Sequence, residues 1–310
     1  MSFRLISFFG WGNGMKFIFT FAVLSVVTAI LVSPVYAASP AQCEKLAGMP
    51  ADPESDFSGI LFNKINAPTA ISVCREALKT NPDQANIQFW LGRSLAKAGQ
   101  DEEAIVWLMK ASNAGYVAAH LNLGFSYANG LGVPKNMETA FALYEKSSII
   151  PSAKVTLGQM HQYGIGTQKN LAIAVKWYEK AAAQSYGHAS YILSGLYEHG
   201  IHYPQNNLKQ LVYLKRAAEQ GYAIAQTKIG TVYFEGKRLP LDKKFGCDWF
   251  EKAAAQQDAR GEFNYGNCFV LGEGRDMDIQ KGIEYLSRSA NQGNEQAVEY
   301  LGMIMAMGPL

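Results

Sequence analysis

Apolar positions between Tyr186 and Gly221 fall into two successive helical patterns. Ala189, Ile192, Leu193, Leu196 and Tyr197 stand at i, i+3, i+4, i+7 and i+8, which is one face of a helix. Gly200 follows them, at the point where a helix end favours a residue that takes positive φ without a Cβ clash. Leu211, Tyr213, Leu214, Ala217 and Ala218 then trace a second helix, opening after Asn206 or Asn207. The pair recurs, and Leu157 to Ala182 repeats it closely. The turn glycine returns at Gly130, Gly164, Gly200, Gly236, Gly272 and Gly308, at steps of 34, 36, 36, 36 and 36 residues. A cation near the end of the second helix returns at Lys110, Lys146, Lys180, Arg216, Lys252 and Arg288. A large side chain stands three residues before each, at Trp107, Leu143, Trp177, Tyr213, Trp249 and Tyr285. One helix pair cannot bury its apolar face alone, so a period of this length predicts stacked copies that share a continuous core.

The motif A-x-x-x-L-G-x-x-Y-x-x-G-x-G-V, followed by A-x-x-W-Y-x-K-A-A, resembles the Sel1-like repeat, a relative of the tetratricopeptide repeat. Ala119-His120-Leu121-Asn122-Leu123-Gly124, Phe125 to Tyr127, Gly130-Leu131-Gly132-Val133 and Ala174 to Ala182 carry the resemblance. It covers about Gly115 to Gly308. His161 departs from the first-helix tyrosine and Ser194 from the glycine of Leu-Gly. His202-Tyr203-Pro204 and Lys237-Arg238 alter two turns. The expected fold is all-α, a right-handed α-solenoid. It has one tetratricopeptide-like unit over 81–114, then a Sel1-like array over 115–310 of about five units and a terminal half unit.

Two segments precede the array. Arg4 and Lys16 lead into the apolar run Phe17–Val32, and Val35-Tyr36-Ala37 offers small residues at the positions a signal peptidase reads. Residues 1–37 are therefore expected to be a signal peptide cleaved after Ala37. Met15-Lys16 is an alternative start, and an uncleaved anchor is the rival reading. The run falls short of the ~20 residues of a spanning helix. Residues 38–80 form the expected N-terminal cap: a polar stretch from Ala51 to Asp56, then a helix from Ala67 to Leu78 with Asn66 as N-cap.

Export changes how the cysteines are read. An exported protein with four of them invites pairing. Cys43–Cys74 would close the cap onto the first helix of the array. Cys247 and Cys268 lie ten or eleven residues either side of the turn near Gln257 and Asp258, a placement that antiparallel helices bring side by side. Two buried thiols are the alternative.

Charge narrows the partner class. The chain holds 28 basic and 26 acidic side chains, and removing residues 1–37 takes only Arg4 and Lys16, leaving 26 of each. A balanced protein lacks the basic field of nucleic-acid binding and the polybasic patch of a peripheral membrane protein. No nucleic-acid partner is expected, and no membrane insertion once the leader is removed.

No catalytic, cofactor or metal residue is assigned. The histidines are His120, His161, His188, His199 and His202. His161 replaces an inward aromatic and is expected in the core, while His199-x-x-His202 lacks a third ligand. Gly-x-Gly here serves helix capping, since neither a preceding strand nor a following Lys-Ser/Thr is present. The cation series has an explanation in the helix dipole and an alternative as a binding stripe. The aromatic series is expected to fill the gap between layers. Met303, Ile304, Met305 and Met307 are expected to pack on the preceding unit, with partner docking as the alternative.

The resemblance implies an exported, non-catalytic scaffold that binds a protein or peptide on the concave face, in the periplasm first and secreted second. Two other classes stay open. One is a β-lactam-interacting or hydrolytic enzyme, as in cysteine-rich Sel1-like proteins whose cysteines pair within each repeat. The other is an envelope polysaccharide-binding or export module.

Overall fold

The computed structural model describes residues 38–50, 52–55 and 59–306. The expected signal peptide, its cleavage point at Ala37, Met307 and Gly308 lie outside the described residues. The described chain is all-helical. The cap holds α1 (Pro40–Ala47), a single 3-10 turn at Phe62–Lys64 and α2 (Ala67–Thr80). Six helix pairs follow: α3 (Ala85–Lys97) with α4 (Asp101–Asn113), α5 (Val117–Asn129) with α6 (Met137–Lys146), α7 (Pro151–Tyr163) with α8 (Leu171–Ala183), α9 (Gly187–His199) with α10 (Asn207–Glu219), α11 (Ala223–Glu235) with α12 (Lys243–Ala255), and α13 (Ala259–Leu271) with α14 (Ile279–Asn291). A last first helix, α15 (Glu295–Ala306), has no partner among the described residues. Each helix packs mainly on its neighbours in sequence, so the core is distributed from layer to layer along an α-solenoid.

Local chemistry sets each unit. Asn136, Asn170, Asn206, Asp242 and Asp278 open the second helices, and each side chain accepts the N–H three residues on, at 2.8–3.1 Å. Gly130, Gly164, Gly200, Gly236 and Gly272 end the first helices in the left-handed region, with φ between 65° and 73°. The second glycine of Gly-x-Gly has a different task. A Cβ on Gly132, Gly166 or Gly274 would run into the backbone of Asp101, Met137 or Lys243, at the start of the second helix one unit earlier. The turn thus carries an inter-unit contact as well as a reversal. At the equivalent place His202 adopts φ 69° despite its side chain. Arg238 instead donates to Gln210 at 3.2 Å.

Close packing within a pair uses one more register. Gly92, Gly124, Gly158, Gly230 and Gly266 let Leu108, Tyr144, Tyr178, Phe250 and Leu286 lie flat on the first helix. Those five large residues are buried, Tyr178 and Leu286 completely. Ser194 takes the glycine place in the fourth pair, opposite Leu214, and its hydroxyl donates to the Gln210 carbonyl at 3.0 Å. A Cβ at 158 would press into the Tyr178 ring. Gly158→Ala is therefore expected to cost about 2 kcal/mol by overpacking, read as a lowered thermal midpoint. Gly195→Ala, whose Cβ meets nothing within 4 Å, should leave that midpoint unchanged or raise it slightly.

These findings correct the expected core register. The filling residues are those just named, one position after the aromatic series. Trp249 and Leu143 are buried, but Trp107, Trp177, Tyr213 and Tyr285 are only half-buried. The cations explain why such large side chains tolerate the edge. Lys110, Lys180, Lys252 and Arg288 sit over the rings of Trp107, Trp177, Trp249 and Tyr285, at 4.2, 4.5, 4.0 and 4.9 Å from the centroids. His161 is also no core residue: it is half-exposed, edge-on to Phe141 and near the Gln168 carbonyl. Its backbone is what the turn uses, since the His161 carbonyl accepts from the Asn170 N–H at 2.8 Å. At the far end Leu301 and Ile304 are buried on Leu286, whereas Met303 and Met305 are exposed.

The cap is closed covalently within itself and is tied to the array by polar bonds. Cys43 of α1 and Cys74 of α2 are joined, with Cα atoms 4.9 Å apart. Arg93 of α3 is 4 % exposed. Its guanidinium donates to the carbonyls of Ala47 and Gly48 at 2.7 and 2.8 Å and to that of Ile60 at 2.7 Å. Burial lowers its pKa to about 10, against the opposing influence of Asp52. Asp52 is buried as well and accepts from the Tyr116 hydroxyl at 2.6 Å. The second disulfide joins Cys247 of α12 to Cys268 of α13, Cα atoms 6.3 Å apart.

Candidate functional site

Two pairs of consecutive first helices touch, α3 with α5 and α11 with α13, and the side of the first helices turned away from their partners is followed along the array. The residue after each packing glycine lies on it. That series reads Phe125, Gln159, Gly195, Thr231 and Asn267, whereas Arg93, in the same register, is buried under the cap. Adjacent positions thus obey opposite rules. The glycine place is nearly constant because a ring or leucine lies on it. The next place differs in every unit.

Chemistry changes along this face. Near the cap, Met49, Phe62, Phe125 and Leu131 line an apolar cavity of about 510 Å³. Phe62 and Phe125 are 46 % and 55 % exposed, and Lys97 holds its ammonium 5.7 Å from the Phe62 centroid. In the middle, His188, Tyr191, Glu198 and Lys228 surround a smaller hollow of about 260 Å³. His188 stacks on Tyr222 with centroids 5.2 Å apart, and Lys228 lies 4.9 Å from the centroid of Tyr191. Toward the end, Phe263, Asn267, Tyr300 and Met303 line a third. The face offers apolar, aromatic and polar stations in sequence.

The histidines do not converge. His120 is buried against the Ser112 hydroxyl at 2.8 Å, His188 lies in the aromatic stack, and His199 and His202 are exposed in or beside a turn. Among the described residues, no group of three His, Cys, Asp or Glu side chains is placed to hold a metal. Burial lowers the pKa of His188; burial and then Lys146 lower that of His120 below its ordinary 6.5. The folded chain therefore takes up these protons later than the unfolded chain does. Stability is expected in full above about pH 6.5 and to decline as pH falls below it. Imidazole titration by NMR should give midpoints below 6.5 for both residues.

Sequence reasoning missed two polar devices. Arg93 had no visible signal, because its three acceptors are backbone atoms of a distant segment. The other had a periodic one. Gln184, Gln220, Gln256 and Gln292 recur at 36-residue steps just past the second helices. They bond Lys154, Ser190, Gln226 and Glu262 at 2.5, 2.7, 2.8 and 2.6 Å, each pair 30 residues apart. Glu262, 1 % exposed, also accepts from Arg288 Nε and Nη2 at 2.8 and 2.7 Å.

Helix pairs stacked in register, with constant packing places beside variable surface places, define a helical repeat protein of the interaction-scaffold class. The chain belongs to the Sel1 repeat family, whose repeats match residues 117–148, 151–186, 187–222, 223–258 and 259–294. The crystal structure of a Sel1 repeat protein from Oxalobacter formigenes is similar at 30% identity and TM-score 0.61, over 69% of this chain and 88% of that one. A protective antigen of uropathogenic Escherichia coli with the same repeat fold is similar at 27% identity and TM-score 0.60, over 77% of this chain and 52% of that one. Sixty residues are 38% identical to the chitin synthase regulator SKT5 of Saccharomyces cerevisiae. They are 19% of this chain and only 9% of that protein. No helix among the described residues is long and apolar enough to cross a membrane.

Proposed function

We propose that this chain is an exported, non-catalytic scaffold that holds a protein or an extended peptide along the face built by the first helices. The carrying observation is the contrast between neighbouring positions: a constant glycine that serves packing, beside a residue that changes from unit to unit. Such a surface reads a long ligand one station at a time, and a Phe125 station accepts what a Gln159 station rejects. Residues 1–37 direct export and are removed after Ala37, with the periplasm as destination ahead of secretion. All four cysteines being paired agrees with an oxidising compartment. Similarity to a protective antigen agrees with an exported location too.

The test is site-specific photocrosslinking in the native host. A crosslinker at Gln159 or Thr231, on the first helices, should capture a discrete protein adduct. One at Lys176 or Lys215, exposed on the second helices, should not. Equal capture from both sides, or acylation of the chain by a labelled β-lactam, would overturn the reading. Sequencing of the exported chain should begin at Ala38.

A further inference from the structure

The fourth helix pair, α9 with α10, breaks the packing rule of its neighbours, and the breaks converge. In the other Sel1 pairs, the residue four places after the packing glycine is matched to the side chain that lies on that glycine. Ala128 packs with Tyr144, Phe234 meets Phe250 with ring centroids 5.9 Å apart, and Val270 packs with Leu286. Gln162 is matched by a hydrogen bond, accepting from the Tyr178 hydroxyl at 2.6 Å. In the fourth pair the two places hold Glu198 and Leu214. A carboxylate is set against a leucine, which has no hydroxyl to donate. Its one ion-pair contact among the described residues is the exposed ring of its neighbour His199, at 4.0 Å.

Two more departures open and polarise the same space. Gly195 stands where the other units carry Phe125, Gln159, Thr231 and Asn267, and a Cβ there would meet nothing within 4 Å. Gln210 stands where they carry Ala140, Ala174, Gly246 and Gly282. It is 3 % exposed. Arg238 donates to its Oε1, but its Nε2 has no acceptor among the described residues. Gly195, Glu198, Gln210 and Leu214 all line the hollow of about 260 Å³, together with Tyr191 and Lys228. That volume lies below the roughly 300–1,000 Å³ of small-molecule pockets and suits a single side chain.

The lining selects the side chain. Glu198 needs a donor, and Gln210 Nε2 needs an acceptor. A lysine or arginine supplies donors only and would meet Lys228. A carboxylate supplies acceptors only and would meet Glu198. Serine, asparagine and glutamine bring the polar atoms without a ring to cover Ile192 and Leu214. Phenylalanine brings the ring but leaves both polar groups unpaired beneath it. Tyrosine meets every demand. Its ring covers the bare Gly195 backbone, and its hydroxyl donates to Glu198 while accepting from Gln210. It restores from outside the bond that Tyr178 makes with Gln162 from within.

We propose that the hollow beside Gly195 takes a tyrosine side chain of the extended peptide, its hydroxyl held by Glu198 and Gln210. The proposal rests on the scaffold reading and names what one of its stations selects. The probe is N-acetyltyrosinamide, titrated into the purified chain and followed by NMR at the backbone amide of Gly195 or Glu198. Saturable shifts are expected. N-acetylphenylalaninamide should bind at least tenfold more weakly, since a site built for a hydroxyl rejects the analogue lacking it. Gly195→Gln, which copies the third pair, should abolish binding. Its side chain enters open space, so the circular dichroism spectrum should not change. Glu198→Leu should weaken binding at least tenfold. Glu198→Gln should keep it within about threefold, because an amide oxygen accepts as that of Gln162 does. Lys176→Ala, exposed on α8, should change nothing. No saturable shift, equal binding of the two capped amides, or binding that survives Gly195→Gln overturns the proposal. Tighter binding of free tyrosine than of its capped form overturns it too, and assigns the hollow to a free amino acid. The titration needs no partner, so its failure leaves crosslinking along the first helices as a separate test of the scaffold.

Discussion

Arg93→Met is expected to remove about 4 kcal/mol of stability and to detach the cap from the array. Methionine keeps the apolar stem in place but removes the guanidinium donor from three inward carbonyls, of which Gly48 keeps the Ile60 N–H while those of Ala47 and Ile60 lose their described partner. Each buried acceptor left unpaired costs on the order of 1–3 kcal/mol. Asp52 also loses the nearest compensation for its charge, although the Tyr116 hydroxyl remains. Arg93→Lys should recover only part of the loss, since one ammonium cannot reproduce the spread of a planar fork. Chemical denaturation gives the magnitude. Limited proteolysis gives the place: cleavage should appear between residues 48 and 60, while fragments spanning the later units persist. An unchanged midpoint would mean that water replaces the guanidinium at no cost.

The second large effect lies at the other end. Arg288→Met leaves the Glu262 carboxylate, 1 % exposed, with Gln292 as its remaining side-chain partner. An uncompensated buried charge costs about 3–5 kcal/mol. The double variant Glu262→Gln with Arg288→Met should recover most of that, because a neutral amide needs no counter-charge. Hydrogen exchange should localise the weakening to α13, α14 and α15, with α3 to α8 protected as before. That pattern follows from an array whose layers touch only their neighbours. Global loss of protection in the single variant would contradict layerwise coupling.

Much of the fold was legible because packing demands recur. Gly164, Asn170 and Trp177 are each explained by a position in a unit, and the unit is printed several times along the chain. The layer-filling register was misjudged by one residue for a physical reason. Trp177 and Tyr178 are both large, and helical periodicity alone does not say which faces the facing glycine. Adding Gly158 to the comparison resolves it, since the ring must lie where no Cβ stands. His161 was misplaced because an aromatic position was equated with burial, whereas its backbone carbonyl is what the turn needs. Arg93 was invisible because main-chain acceptors leave no mark on composition. The stations along the first helices were illegible for the converse reason: variation carries no period.

The two disulfides lie near opposite ends of the described array, in α1–α2 and α12–α13. A linear stack comes apart from its termini, where a layer has one neighbour instead of two. The first tie closes the N-terminal cap, and the second joins the layers on which α14 and α15 stack. The first layers to loosen on heating should then be the unstapled stretch α5 to α10 and the overhanging α15. Such a molecule would soften first in its middle layers and at α15, and reversibly, because the ties hold the layers beside them in register.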